Sequence, residues 1–217
     1  MKPDPDLPLA DDLKTHTWSL HAEAETTGVV AAIIQRRVIL RDYLEFLQNL
    51  AEIYSALESE MTWLDEYPSL QKLLTPAVFR GPHIRQDYDN LRGLNPSVPA
   101  GRIHPAAQSY MAHITRARTD APPAMLAHIY VRYLGDLNGG RVLQRLVRTS
   151  LGVPEDCLSF YAFPDIPDLR GFTAEFREAL NEISLSNADR GVARKAALEA
   201  FKFNIALSRD CESQAKV

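Results

Sequence analysis

LAHIYVRYLGDLNGGRVLQRLV, residues 126–147, is the stretch on which the reading of this chain turns. Its flanks have a helical period: Leu126, Ile129, Tyr130, Tyr133, Leu134 and Leu137 recur at spacings of three, four and one. Yet Gly135, Gly139 and Gly140 fall in the middle, and a glycine inside a helix costs roughly 0.5–1 kcal/mol relative to alanine. Gly135 and Gly139 have the spacing of a helix-packing face. The adjacent pair Gly139–Gly140 favours a kink instead. A missing Cβ also lets backbone approach a flat object closely, so a kinked helix lying against a planar ligand is the other reading. Phosphate loops are excluded, because GxxxxGK[ST] and GxGxxG both follow a strand and neither spacing is present.

Outward from this block the chain reads as helices. Leu13, Thr17, Leu20, His21 and Ala24 share one face of a segment over 13–24, with Asp11 or Asp12 as its cap. Over 41–64, Tyr43, Phe46, Leu47, Leu50, Ile53, Tyr54, Leu57, Met61 and Leu64 form one apolar stripe, with Asp42 as the cap. Residues 66–123 hold eight of the 14 prolines, which predicts short helices broken by turns. Residues 151–168 read as a connection, and 169–183 and 188–211 as two further helices. No alternating strand pattern and no repeat occurs, so the expected fold is an all-α, single-domain helical bundle. Its expected extent is 11–213, between a flexible N-terminal segment 1–10 and a tail 214–217.

Composition narrows the function classes. The 217 residues are 46% hydrophobic and carry a net charge of −4, from 24 Lys and Arg against 28 Asp and Glu, with no push toward nucleic acid. The two cysteines, Cys157 and Cys211, form no CxxC pair, which argues against a disulfide scaffold or thiolate metal site. MKPDPDLPLADD is acidic and Pro-rich, unlike a secretory signal. No stretch reaches the roughly 18 apolar residues that span a bilayer. A cytoplasmic monomer without a membrane anchor is the expectation.

His21 stands on a weakly polar helix face. A satisfied core or boundary histidine is the ordinary explanation. The sharper one is an axial ligand to haem iron, with Glu25 one turn later taking the Nδ1 proton and leaving Nε2 free. Zinc and copper want three or four protein ligands, and no HxH or HxxxH pair supplies them. Haem needs one, because the porphyrin brings four.

LKTHTWSLHAEAE at 13–25, EIYSALESEM at 52–61, YVRYLGDLNGGRVL at 130–143, FPDIPD at 163–168 and AFKFNIAL at 200–207 together resemble the haem oxygenase family, in the right order over nearly the whole chain. The resemblance implies haem, substrate and cofactor at once, held between a proximal helix and a Gly-kinked distal helix. It implies ring opening with O2 to biliverdin, ferrous iron and carbon monoxide, fed by a ferredoxin, flavodoxin or reductase. Position by position, it makes His21 the iron ligand and Glu25 its hydrogen-bond partner. Gly135 and Gly139 lie over the haem face, with Gly140 completing the kink. Asp136 organises water, joined by Tyr54 and Arg132. Lys14, Tyr130 and Arg177 reach the propionates, and Tyr43, Leu50, Phe201 and Asn204 line the pocket.

The residue types suit that chemistry. A neutral histidine lacks the electron push of a thiolate. Distal protons must arrive without a bulky side chain over the iron, which glycines permit and Asp136 can serve through water. The chain also departs from the family: Trp18 and Thr173 stand where mammalian-type sequences resemble basic residues, and Asn138 where serine is common. With Arg177 retained, opening at the α-meso carbon is expected. Arg141, Arg145 and Arg148 form a basic face that is either simply solvated or a dock for an acidic electron donor. The competing readings are a non-catalytic haem-binding or haem-transfer protein of the same fold, a thiaminase-like hydrolase, for which neither cysteine has a suitable context, and a ligand-free adaptor.

Overall fold

The computed structural model describes residues 7–59 and 62–213; Met61 of the expected stripe, residues 1–6 of the expected arm and the tail 214–217 lie outside them. Among the described residues there are ten α-helices and no strand: α1 (Leu9–Glu25), α2 (Gly28–Ile34), α3 (Leu40–Glu58), α4 (Pro68–Gln71), α5 (Gly81–Leu94), α6 (Pro105–Asp120), α7 (Pro122–Ile129), α8 (Gly135–Leu151), α9 (Leu169–Asn181) and α10 (Asn187–Asp210). α10 packs against α1, α2, α6 and α7, and α3 packs against α5 and α6. The stripe expected on α3 is buried from Tyr43 through Leu57. Gly28 takes a positive φ of 59° where α2 crosses α10, and a Cβ there would meet the Ser208 carbonyl oxygen at 2.1 Å, so only glycine allows that crossing.

The expected aspartate caps are something else. α1 starts at Leu9 after Pro8, inside the segment expected to be a flexible arm, and Leu9 and Ala10 are buried. Asp12 therefore sits in the first turn facing inward, where it accepts two bonds of 2.8 Å from Arg194 Nε and Nη2, with Arg190 Nη1 at 3.8 Å. Asp42 likewise caps nothing. α3 begins at Leu40, and the Asp42 carboxylate accepts from the Ser213 backbone at 2.9 Å and from its hydroxyl, tying the end of α10 to the start of α3. Real side-chain caps occur at Asp168, which accepts from Gly171 N, and Ser186, which accepts from Asp189 N.

Asp12 is fully buried and its two cations are mostly buried, so Asp12→Ala strands two arginines of α10. Breaking such a buried pair costs about 3 kcal/mol. Urea unfolding of the variant should show a lowered midpoint with unchanged slope; an unchanged midpoint would mean the clamp holds nothing.

The Pro-rich middle holds longer helices than expected, of 14 residues in α5 and 16 in α6. Prolines in the first turn of α5, α6 and α7 explain this: an N-terminal proline costs no hydrogen bond and presets φ. Conversely, α3 stops at Glu58, short of residue 64, because that side chain turns inward to accept from Arg80 N at 2.6 Å and from the Tyr133 hydroxyl at 3.0 Å.

The irregularity expected at Gly139–Gly140 lies about two turns earlier. Tyr130–Leu134 forms a π-helical turn, and α8 then runs without a break from Gly135 to Leu151. One extra residue in a turn swings the following face by roughly 100°. Tyr133 thereby stays in the core while Asp136 reaches a cavity below α1.

Candidate functional site

That cavity encloses about 160 Å³ between α1, α2, α3, α8 and α10. Its wall is mainly apolar, with Phe46 and Leu50 from α3, Phe160 from the loop before α9 and Phe201 from α10. Arg132, Asp136 and Asn204 bring charge and an amide to one side. Ser208 also lines it, but its hydroxyl is engaged with Val30 N and the Thr27 carbonyl. A larger open groove of about 700 Å³ lies where the end of α10 meets Arg41 and Arg102, but its wall is polar, of both charge signs and without aromatic rings.

The polar side is a connected network. The Tyr54 hydroxyl donates to Asp136 Oδ2 in a short hydrogen bond. The Arg132 guanidinium lies 4.6 Å from the Tyr54 ring centroid and donates to Asn204 Oδ1 at 2.7 Å. Burial lifts the Asp136 carboxyl above its usual range, and Arg132, Tyr54 and Arg80 offset that only in part. Burial also raises the Tyr54 phenol strongly. For Arg132, burial disfavours the charge, but Tyr54, Asp136 and Tyr110 outweigh it and keep the cation firmly protonated. The result is a fixed cation beside a carboxyl that holds its proton to higher pH than an ordinary carboxylate.

Arg80 supports this arrangement from below. Fully buried, it lies 4.1 Å from the Phe163 ring centroid and donates to the carbonyls of Ala77, Val78 and Ala162. It thus pins the loop that contributes Phe160 and Tyr161 to the cavity.

His21 stands at the mouth. Its side chain is 51% exposed, with Phe201 edge-on at 5.9 Å and Trp18 parallel within 3° at 6.2 Å. Glu25 Oε1 is 3.8 Å from Nδ1, within ion-pair reach but too far for the expected hydrogen bond. A Cβ built on Gly135 or Gly139 would meet nothing within 4 Å, so neither glycine is there to pack against protein.

Leu50, Phe201, Asn204, Arg132 and Asp136 converge as expected, and Tyr54 joins them through Asp136. Two placements differ. Gly140 completes no kink; its Cα faces the Tyr161 backbone, where a Cβ would sit 3.5 Å from the carbonyl oxygen. Tyr43 is in the core rather than on the pocket wall, its phenol raised by burial and then by Tyr161. Arg177 is paired with Asp11 at 3.2 Å, in a group with Tyr130 and Thr17, and Lys14 is exposed on α1. Phe160, Tyr161 and the Glu58–Arg80 support were not expected.

Comparisons with known proteins match nearly the whole chain. The family profile described as Heme oxygenase matches residues 7–210. Heme oxygenase 1 of Synechocystis sp. is 30% identical over 94% of this chain and 85% of its own length. Heme oxygenase of Takifugu rubripes is 33% identical over 96% and 76%. The crystal structure of heme oxygenase-1 from Synechocystis sp. in complex with heme superposes with a TM-score of 0.84 at 30% identity, covering 94% of this chain and 92% of that one.

Proposed function

The chain belongs to the haem oxygenase family, and from that premise we propose that it opens haem with O2 and reducing equivalents to biliverdin, ferrous iron and carbon monoxide, at the cleft between α1 and α8. The observation that carries the site assignment is Asp136, a carboxyl of raised pKa joined to Tyr54 and Arg132 inside an apolar cavity with His21 at its mouth. A protein that merely carried haem would have no use for that buried acid.

Haem bound there supplies the redox-active iron and the ring that is cleaved. His21 would hold the iron through Nε2, oriented by Trp18 and Phe201, with the Glu25 carboxylate 3.8 Å from Nδ1. Gly135 and Gly139 let the flat ring approach α8 closely. Lys14, Tyr130 and Arg177 would hold the propionates. The Arg177–Asp11 pair is exposed enough to be worth only about 0–1 kcal/mol and exchanges readily for a propionate. Asp136 holds and passes protons through water, with Tyr54 orienting it. α-Meso opening is the expected regiochemistry, read from the biliverdin isomer on chromatography.

Gly139→Ala separates ligand from packing. It should stabilise the helix by about 0.5–1 kcal/mol, since the added methyl meets no protein atom. It should also weaken haem binding and slow ring opening, measured by Soret titration and bilin absorbance. A stabilised variant with unchanged haem affinity and turnover would remove Gly139 from the site.

Arg141, Arg145 and Arg148 are exposed on α8, with Val142 57% exposed among them. They form the dock for an acidic electron donor such as ferredoxin or flavodoxin. Reversing all three charges should slow donor-driven turnover and flatten its dependence on salt; identical rates at all ionic strengths would refute the dock. No helix among the described residues is long and apolar enough to cross a membrane. A cytoplasmic monomer with its buried cysteines reduced is the state proposed here, which fractionation and sedimentation check.

A further inference from the structure

The connection between α2 and α3 carries a motif that the proposed chemistry does not use, IIQRRVILR at 33–41. No acidic residue occurs between Glu25 and Asp42, and Asp42 is buried, so three arginines stand together on a chain whose net charge is −4. Ile34 through Arg37 are exposed, Val38 is buried, and Ile39 and Arg41 are exposed again. Ile34 at 41% and Ile39 at 50% are among the most exposed large apolar side chains of the described residues.

The backbone gives a second, independent sign. Arg36 has a φ of 58°, the one positive value at a residue other than glycine among the described residues. A Cβ makes that conformation costly, and a helix end that adopts it usually places glycine there. Arg37 N and Val38 N both donate to the Ala32 carbonyl, at 2.8 and 3.1 Å, which locks the turn. Among the described residues the Arg36 and Arg41 side chains make no hydrogen bond or ion pair, so nothing inside the fold recovers the strain at Arg36. Arg37 is different, paired with Glu212 at 2.6 Å. Arg41 also lines the open groove of about 700 Å³, together with Arg102 and Arg209. Those two reach carboxylates only at 3.9 and 3.8 Å, and are mostly exposed. Of the acids in the groove, Glu45 is engaged by His104 and Glu212 by Arg37, which leaves Asp210.

We propose that the α2–α3 corner, with the groove beside it, docks the protein reversibly on an anionic lipid bilayer. Arg36, Arg41, Arg102 and Arg209 face the lipid phosphates, and Ile34 and Ile39 enter the boundary between headgroups and acyl chains. Charge complementarity selects an anionic surface. The aliphatic pair selects a bilayer over an acidic protein, because protein docks are built around aromatic anchors and residues 26–41 contain none. α2 joins this corner to the cavity, which Val30 and Ile33 line. With seven residues that helix is roughly 10 Å long, so docking sets one cavity wall close to the membrane.

The test uses the isolated chain without haem, so it does not depend on the haem-cleaving reading. Co-sedimentation is measured with vesicles of phosphatidylcholine containing about one third phosphatidylglycerol, and with phosphatidylcholine alone. The chain should bind the anionic vesicles, release them at high salt and ignore the neutral ones. Arg36→Glu with Arg41→Glu should weaken binding by at least about ten-fold, and Arg36→Gly alone by about five-fold. Arg36→Gly should also raise the unfolding midpoint, which separates a lost contact from a damaged fold. Ile34→Ser with Ile39→Ser leaves the charge untouched and should still weaken binding several-fold. Reversing Arg141, Arg145 and Arg148 on α8 should leave it unchanged. No binding to anionic vesicles, or binding that follows the α8 arginines instead of the corner, overturns the proposal. A response to charge reversal with none to the serine pair overturns it too, and identifies the corner as a dock for an acidic protein.

Discussion

Asp136→Ala should bind haem with a normal His-ligated spectrum and yet lose ring opening by on the order of 10²–10⁴-fold, the usual contribution of a positioned proton donor. The carboxyl carries this expectation because it is the acidic group on the cavity wall, and because burial lifts its pKa despite Arg132 alongside. Alanine also removes the acceptor of the Tyr54 hydroxyl, leaving a buried phenol unpaired at a cost of about 1–3 kcal/mol. Asp136→Asn separates these effects. The amide still accepts from Tyr54, so stability should return toward that of the unaltered protein, but it cannot exchange a proton and turnover should stay low. If the Asp136→Asn variant turned over normally, Asp136 would be an orienting group and no proton donor. Stability has a sign as well. A carboxyl with a raised folded-state pKa binds its proton more tightly when folded. It therefore favours the folded state at low pH, and that contribution is lost as pH rises through the folded pKa. Asp136→Asn removes this pH dependence.

His21→Ala should abolish the His-ligated spectrum and with it biliverdin formation, while leaving the fold intact. The side chain is half exposed and its partners are rings and a distant carboxylate, so the loss of stability should stay within about 0.5 kcal/mol. The contrast with Asp12→Ala, nine residues earlier on the same helix, is the check. That substitution should lower the unfolding midpoint and spare the spectrum at temperatures where the protein remains folded. A His21→Ala variant with an unchanged haem spectrum would place the ligand elsewhere.

Helices with one marked apolar face are readable from spacing alone. The α3 stripe is buried as its period implies, because alternating polar positions mark its phase. The π-turn is not readable. Ala124 through Leu134 is nearly all buried except at Tyr130, and its polar residues His128 and Arg132 are buried too, so polarity does not mark the phase and an extra residue leaves no trace in the pattern. Spacing therefore assigns the kink to the glycines, about two turns too late. Asp12 and Asp42 illustrate a different limit: a carboxylate at a helix start has the same local signature whether it caps or reaches inward to a partner about 170 residues away. Burial of Tyr43 is legible, but a stripe does not say which of its members line a cavity and which lie behind it. Phe160 and Tyr161 sit in an aperiodic, Pro-flanked loop, and the Arg80 and Glu58 contacts that place that loop are long-range.

The most direct test of the central claim is a single aerobic turnover of the haem complex with a reductant and an iron chelator present. The Soret band should disappear, with one biliverdin and one chelated iron formed per haem. Persistence of the Soret band, or its bleaching without biliverdin, would contradict haem cleavage at this site.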